Sequence, residues 1–565
     1  MRRLLAFSVI TIFIFTSINS FSQNNTPSAN EVADSVQSLR NQARRLWINP
    51  KATKEQLQES TRILKAAFVY LEKPMFKDLA QGNFYLKFRT GDVAFDLLNA
   101  YVRNKQYAEA STIFEKMYDL NSSWYALVAK DSVYAELRKL PRMNELINQF
   151  KLRNSIWQGK TLATTYQPNL SEDEKIAGLS QLWMQAKYNF VYFNKLSYDW
   201  NQTYLEFLPQ VRATKSTSDY YRVLQRFYAT LGDGHTNVFL PAEIRNDFGS
   251  RPPIRTDLIE GRVLITAVES DSLRKAGIIP GLEILKIDDQ DVHDYVKNKV
   301  KPYLSSSTAQ DLEIRAYSYN LLSGSAQQPV KLELKNSATK QWSQVVNRTG
   351  YKDVRSKDAI NFKVINGFGY LQINNFEDPT IIRKFDSLYT EIAKTKGLII
   401  DVRNNGGGDS WIGYHILSTL TDRETATSSS RILTYNPRTA KTEWFDDGAG
   451  TIRPDKKRLY TMPVMMLISA RTFSAAEDFT VAFDCMKRGK LIGQATGGST
   501  GQPFSFNLPG GGWARVCSKE DTYPDGKKFV GVGIQPDVAV DVKVNDILKG
   551  RDVVLENALA LLQAN

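Results

Sequence analysis

The sequence predicts a multidomain fold of helices and sheets, with an α/β body in its C-terminal part. Three observations lead there. At 565 residues the chain exceeds what one hydrophobic core organises. From about residue 355 onward strand-like and helix-like patterns alternate, the signature of helices laid on a sheet. Between residues 37 and 150 strand signals are missing and helical patterns dominate. Hydrophobic residues make up 42% and charged residues 24%, the balance of a chain that folds in water. The formal charge of +13 is modest at this length and reads as a mildly basic surface, with attraction to anionic envelope surfaces as the alternative. There is no basic stripe interleaved with aromatics, no zinc-ligand spacing and no calcium-loop pattern, so neither nucleic acid nor a metal or other cofactor is expected.

The elements follow in chain order. Arg2 and Arg3 precede an apolar stretch, Leu4 to Ile18, and Ser20-Phe21-Ser22 offers a small-x-small cleavage site. Residues 1–22 therefore read as a signal peptide, too short for a comfortable span, with an uncleaved anchor as the alternative. No cysteine follows, so no lipid anchor is indicated. The mature chain is expected to be exported, in the periplasm, the cell envelope or outside the cell, with no integral span. Residues 24–36 are polar and expected to be disordered. Residues 37–150 are helical. Within them Gly91 to Val102 and Tyr107 to Met117 form two helix patterns across a short polar break. The pair looks like a tetratricopeptide unit, a generic helical bundle being the alternative. The resemblance implies a platform for a protein partner.

Residues 171–245 are read as a helical cap. Leu179, Leu182, Trp183, Ala186 and Phe190 fall at helical spacing, as do Tyr221, Leu224, Phe227 and Leu231, and such stripes are core. In the next segment Ala276-Gly277-Ile278-Ile279-Pro280-Gly281 stands between two strand-like runs. Residues 250–345 thereby resemble a PDZ domain of the bacterial protease type, which implies capture of a peptide as an added strand. Phe248 to Ile254 holds two prolines that cannot donate, so a structural lid is the alternative. In the last body, residues 355–550, Phe368 to Ile373, Leu398 to Val402 and Pro463 to Ser469 read as strands. Ile381, Phe385, Leu388 and Ile392 mark one helix face, and Trp411 to Leu420 is a helix-like stretch. Ala475 to Lys487 reads as a helix, with Gly489 as its stop signal.

Ser474 occupies the turn between a buried strand and that last helix. A serine there presents its hydroxyl beside unpaired helix N-terminal amides, which can hold an oxyanion. Taken alone, Ser474 is better explained as an N-cap. Gly406-Gly407-Gly408 ends another strand, and a Gly407 amide could add a second oxyanion donor to that of Ala475. No Gly-Lys-Ser/Thr or Rossmann spacing makes this a nucleotide loop. His235 lies in Leu231-Gly232-Asp233-Gly234-His235-Thr236, and histidine titrates in the range a serine nucleophile needs. His293 and His415 follow apolar patterns and read as structural.

Together Leu231 to Thr236, Asp401 to Gly408, Thr472 to Glu477 and Gly533-Ile534-Gln535-Pro536-Asp537 resemble, in order and spacing, the motifs of the S41 serine peptidases, which include tail-specific and tricorn-core proteases. The resemblance covers about residues 170 to 550. It implies a crotonase-like (ClpP/crotonase) α/β catalytic domain. The tail-specific branch takes its base from a lysine in the segment matching Gly493 to Thr500, where this chain has Ser499. The tricorn-like branch uses the upstream histidine, which His235 retains. That branch orients its histidine with a serine and a glutamate, and the matching positions here hold Gly234 and Val530. Asp233 and Glu520 are the substitutes considered, and Glu477 is expected to brace its own helix turn. Gly497-Gly498-Ser499-Thr500-Gly501 matches a nucleophile elbow formally, but Gln502 to Phe506 reads as a strand where the elbow demands a helix. Export would permit a bridge between Cys485 and Cys517, but free buried cysteines are common and the sequence leaves their pairing open. The expected function is an exported serine endopeptidase acting on protein or peptide substrates. The alternatives are a non-catalytic or weakly active ligand- or peptide-binding protein on the same fold, and an esterase-like hydrolase.

Overall fold

The computed structural model describes residues 27–48, 51–81, 84–120, 124–157, 162–350 and 358–564. The leader read over 1–22 lies outside them. The chain divides into two compact units, residues 1–159 and 160–565.

The first unit is helical, as its patterns predict. Its longer helices are α1 (Ala29–Trp47), α2 (Lys54–Leu71), α3 (Phe84–Arg103), α4 (Tyr107–Asp119) and α5 (Pro141–Trp157). Helix α1 begins inside the stretch expected to be disordered. Ser28 and Glu31 cap it reciprocally, and Val32, Ala33 and Val36 lie in the helical core. Short polar runs between apolar anchors hid that start. Helices α3 and α4 pack through Val93, Leu97, Tyr101, Ile113 and Phe114. Buried Arg40 joins α1 to α3 through Asp92 and Asp96, each at 2.6 Å.

The second unit opens with α6 (Glu172–Asn189), α7 (Trp200–Ala213) and α8 (Thr217–Ala229), whose predicted apolar stripes are buried at Leu179, Leu182, Ala186, Tyr221, Leu224 and Phe227. Four sheets follow. Strands β2 (Ile254–Ile259), β3 (Arg262–Val268), β4 (Glu283–Ile287), β6 (Val330–Lys335) and β7 (Gln341–Val346) form an antiparallel sheet in that order, with β5 (Gln290–Asp291) beside β4. Its core is separate, made of Ile254, Ile265, Ile284, Val296, Leu332 and their neighbours.

The central sheet runs β18-β14-β13-β10-β9-β8: Val538–Ala539, Gly489–Gly493, Val464–Ile468, Leu398–Asp401, Phe368–Ile373 and Ile360–Ile365. Only the β8–β9 pair is antiparallel. Strands β10 and β13 are buried throughout, as parallel strands covered on both faces must be. Helices α9 (Thr380–Ile392), α10 (Ser410–Leu417) and α11 (Ala475–Met486) cover one face, and α12 (Val553–Ala564) the other. The remaining strands make two smaller sheets. In one, β1 (Asn237–Phe239), β16 (Trp513–Cys517) and β15 (Pro503–Asn507) pair antiparallel; in the other, a long hairpin of β11 (Thr425–Asn436) and β12 (Lys441–Ile452) pairs with β17 (Lys519–Thr522).

One helix stop differs from the sequence reading. Lys487, not a glycine, takes the left-handed position after α11, with φ 54° and ψ 38°. Gly489 instead begins β14, where a β-carbon would lie 1.7 Å from the Val464 carbonyl oxygen. That glycine serves a close strand approach rather than a helix end.

Candidate active site

Three neighbouring parallel strands deliver three loops to one edge of the central sheet. Strand β10 runs into the glycine turn 402–409, β13 into the turn holding Ser474, and β14 into the loop 494–499. The crevice at the carboxyl ends of parallel strands is where open α/β sheets hold their ligands. His235 arrives from another direction, between α8 and β1. Its neighbour Thr236 accepts the Cys517 N–H of β16 at 3.1 Å, which ties the histidine loop to the three-stranded sheet.

Ser474 sits at φ 57°, ψ −128°, a strained conformation for a residue with a side chain. Its side chain makes no capping hydrogen bond to α11, so its placement differs from that of an ordinary N-cap. Its Oγ lies 3.0 Å from His235 Nε2 instead. The other ring nitrogen, Nδ1, lies 2.9 Å from Ser499 Oγ. The His235 ring is buried and stacks on Phe473, with centroids 4.8 Å apart and planes 15° from parallel. Burial holds the imidazole well below its ordinary titration range, and the positive charges of Arg515, Arg315 and Lys519 push in the same direction. The ring is therefore neutral at physiological pH, the form able to accept a proton.

The glycine turn presses against this serine. Gly407 has φ 103°, and its N–H donates to Asn405 Oδ1 at 2.9 Å. That amide, expected to face an oxyanion, is committed within its own turn. The N–H groups of Ala475 and Gly408 have no hydrogen-bond partner among the described residues.

The carboxylates considered as orienters are placed otherwise. Asp233 is buried, and its oxygens accept the His235 backbone N–H at 3.0 Å, the Thr236 hydroxyl at 2.8 Å and the Ser307 hydroxyl at 3.2 Å. It shapes the histidine loop and makes no hydrogen bond to the ring. Glu520 pairs with Lys195 at 2.9 Å and with Arg431. Val530 packs against the apolar core. Glu477 corrects the expectation that it braces its own helix turn. Fully buried, it accepts the N–H groups of Gly498 at 2.8 Å and Ser499 at 2.9 Å and the Thr496 hydroxyl at 2.5 Å, so it holds the neighbouring loop. Burial pushes its carboxyl up to about 8 against the lowering effect of those three donors. Among the other candidates, His293 contacts the Tyr317 hydroxyl, His415 contacts Asp386, and both cysteines are free.

Sequence reasoning missed the contribution of the antiparallel body. Its segment 305–318 touches the histidine loop, the 494–499 loop and the turn before Ser474. Ser305 and Ser307 accept the N–H groups of Asp233 and Gly234, each at 3.0 Å. Thr308 donates to Gly497 O at 2.7 Å, and Gln310 to Thr496 O at 3.0 Å. Ser318 and Asp257 hold Arg471, three residues before Ser474. No local pattern marks such contacts, because they join residues more than 70 positions apart. Ser499 was visible as the residue standing where a lysine was sought.

Residues 367–540 match the model of peptidase family S41. The chain is 22% identical over 301 residues to the carboxy-terminal-processing protease of Bartonella bacilliformis, covering 52% of this chain and 61% of that protein. It is 22% identical over 294 residues to the carboxy-terminal processing protease CtpA of Bacillus subtilis, covering 50% of this chain and 54% of the relative. The chain thus spans less than two thirds of the length of these two relatives. Its fold is similar to that of mature CPAF solved in complex with lactacystin, with a TM-score of 0.56 at 17% identity over 70% of this chain and 99% of that one.

Proposed function

We propose that this chain, whose residues 367–540 are a peptidase family S41 domain, hydrolyses peptide bonds with Ser474 as nucleophile and His235 as general base. The observation that carries the reading is the 3.0 Å contact between Ser474 Oγ and His235 Nε2 at a strained turn whose serine does no capping. Ser474 Oγ attacks the carbonyl carbon as Nε2 takes its proton. The free amide of Ala475 holds the developing oxyanion, joined by an amide of the glycine turn. The unpartnered N–H of Gly408 is better suited to that task than the engaged N–H of Gly407. His235 then protonates the leaving amine, and water, deprotonated by the same ring, releases the acyl group.

In this reading the substrates are proteins or peptides, and cleavage near exposed C-termini fits the names of the relatives. The antiparallel body around β2–β7 acts as a PDZ-like element that gathers substrate and supports the site through its segment 305–318. The central sheet with its covering helices is the crotonase-like catalytic body, 171–245 its cap, and the tetratricopeptide-like helices of the first unit recruit a partner protein. Export by the 1–22 leader supplies the compartment. The test is incubation of the purified chain with an unfolded protein such as casein, with product termini read by mass spectrometry. New termini that vanish in Ser474→Ala support the reading. Intact casein after prolonged incubation, or cleavage that persists in the variant, counts against it.

A further inference from the structure

A histidine that takes a proton on Nε2 must carry its own proton on Nδ1, and something must accept that proton to fix the tautomer and the ring plane. Among the described residues no carboxylate makes a hydrogen bond to the ring, whose partners are Ser499 and Ser474. The atom opposite Nδ1 is Ser499 Oγ at 2.9 Å, a hydroxyl with no solvent exposure on the residue that bears it. The rest of Ser499 is fixed by the nucleophile's own helix. Its N–H donates to Glu477 Oε2 at 2.9 Å, and its carbonyl accepts the N–H of Ser474 at 3.1 Å. One residue thus holds the backbone of the nucleophile and the ring of the base together.

The neighbouring position shows why the hydroxyl comes from here. A β-carbon built on Gly234 would lie 2.8 Å from Ser499 Oγ, and 3.0 and 3.1 Å from the Phe473 ring. A side chain at 234 and the Ser499 hydroxyl therefore compete for one space beside Nδ1. We propose that Ser499 is the positioning residue of His235, reaching across from the 494–499 loop into space that a side chain on residue 234 would otherwise fill. This rests on the reading of Ser474 and His235 as nucleophile and base. Because the acceptor is a neutral hydroxyl, the ring is oriented without the charge stabilisation a carboxylate gives its imidazolium form. Ser499 also occupies the place where a lysine base was sought and does so as a support, not as a base.

The test uses the full chain and the variants Ser499→Ala, Gly234→Ser and the double variant. Ser499→Ala is expected to lower kcat about 10- to 100-fold with KM little changed, since it loosens the base and leaves substrate contacts alone. Gly234→Ser alone collides with the Ser499 hydroxyl and is also expected to lose activity. In the double variant the closest collision, with the Ser499 hydroxyl, is gone, the Phe473 ring has only to give by a few tenths of an ångström, and a hydroxyl returns from the other side, so activity exceeds that of either single variant. A Ser499→Ala enzyme with wild-type kcat, or a double variant no better than Ser499→Ala, overturns the proposal. A readout independent of turnover keeps it separate from the catalytic reading. The chain has three histidines, so nitrogen-labelled imidazoles can be assigned by single variants. The wild type should show the Nδ1–H tautomer at His235, and Ser499→Ala should show loss of that single tautomer. The same tautomer in both overturns the positioning role even if the wild type proves to have no peptidase activity.

Discussion

A β-carbon added to Gly407 would stand 2.7 Å from the β-carbon of Ser474, 2.9 Å from the Phe473 carbonyl oxygen and 3.0 Å from the Ala475 nitrogen. The glycine turn is therefore in contact with the nucleophile turn, and at φ 103° it has a conformation that favours glycine on backbone grounds as well. Gly407→Ala should push Ser474 and the Ala475 amide out of register. Expected is a loss of kcat of about 100-fold or more, because a displacement near 1 Å at a reacting group costs that much. Circular dichroism should show the fold retained. Wild-type kcat in the folded variant would contradict the contact.

The protonation state of His235 sets the acid limb of activity. Burial, followed by the charges of Arg515, Arg315 and Lys519, holds its titration well below the ordinary 6.5. A base must be neutral to accept a proton, so kcat/KM should stay level between pH 7 and pH 6 and fall only at more acid pH. Arg515→Gln removes one of the opposing charges and raises the imidazole's affinity for a proton. Its acid limb should shift to higher pH than in the wild type. A limb that moves to lower pH would contradict the assignment.

Glu477 couples stability to pH. Its folded-state value of about 8 stands above the ordinary 4.5, so the folded chain binds its proton more tightly than the unfolded chain does. That contribution is fully present below about pH 4.5 and is lost as pH rises through 8. Glu477→Gln should show a weaker fall in denaturation midpoint across this window. Glu477→Ala strands three buried donors and should cost about 3 kcal/mol or more in unfolding free energy, read from denaturant titration of the second unit.

The antiparallel body should affect catalysis from outside the reacting atoms. Ser307 accepts the N–H of Gly234 and donates to Asp233, while Asp257 holds Arg471. Ser307→Ala and Asp257→Asn should lower kcat several-fold while leaving the core of β2–β7 folded. Exchange of backbone amides should speed up around Asp233 to Thr236 in the first variant and around Arg471 in the second. Unchanged rates and exchange in both would show that the body does not support the site.

Much of the central sheet was legible because parallel strands buried on both faces read as unbroken apolar runs, as in Leu398 to Ile400 and Val464 to Ile468. The turns at their ends were legible because glycine and serine mark sharp backbone changes. Partnerships across the fold were not. Glu477 looks like any acidic residue in a first helical turn, and only the folded chain brings Thr496, Gly498 and Ser499 to it. The engagement of the Gly407 amide by Asn405 likewise depends on a turn geometry that composition does not specify. The start of α1 was missed because a reciprocal Ser28–Glu31 cap and three buried apolar residues outweigh a polar composition.

The most direct measurement is covalent labelling of the native chain with a fluorophosphonate, followed by peptide mapping. An assembled Ser474–His235 pair predicts a single adduct on Ser474, lost in His235→Ala and retained in Lys519→Ala. A folded wild-type chain that takes up no label at Ser474, or one labelled equally without His235, would contradict the central claim.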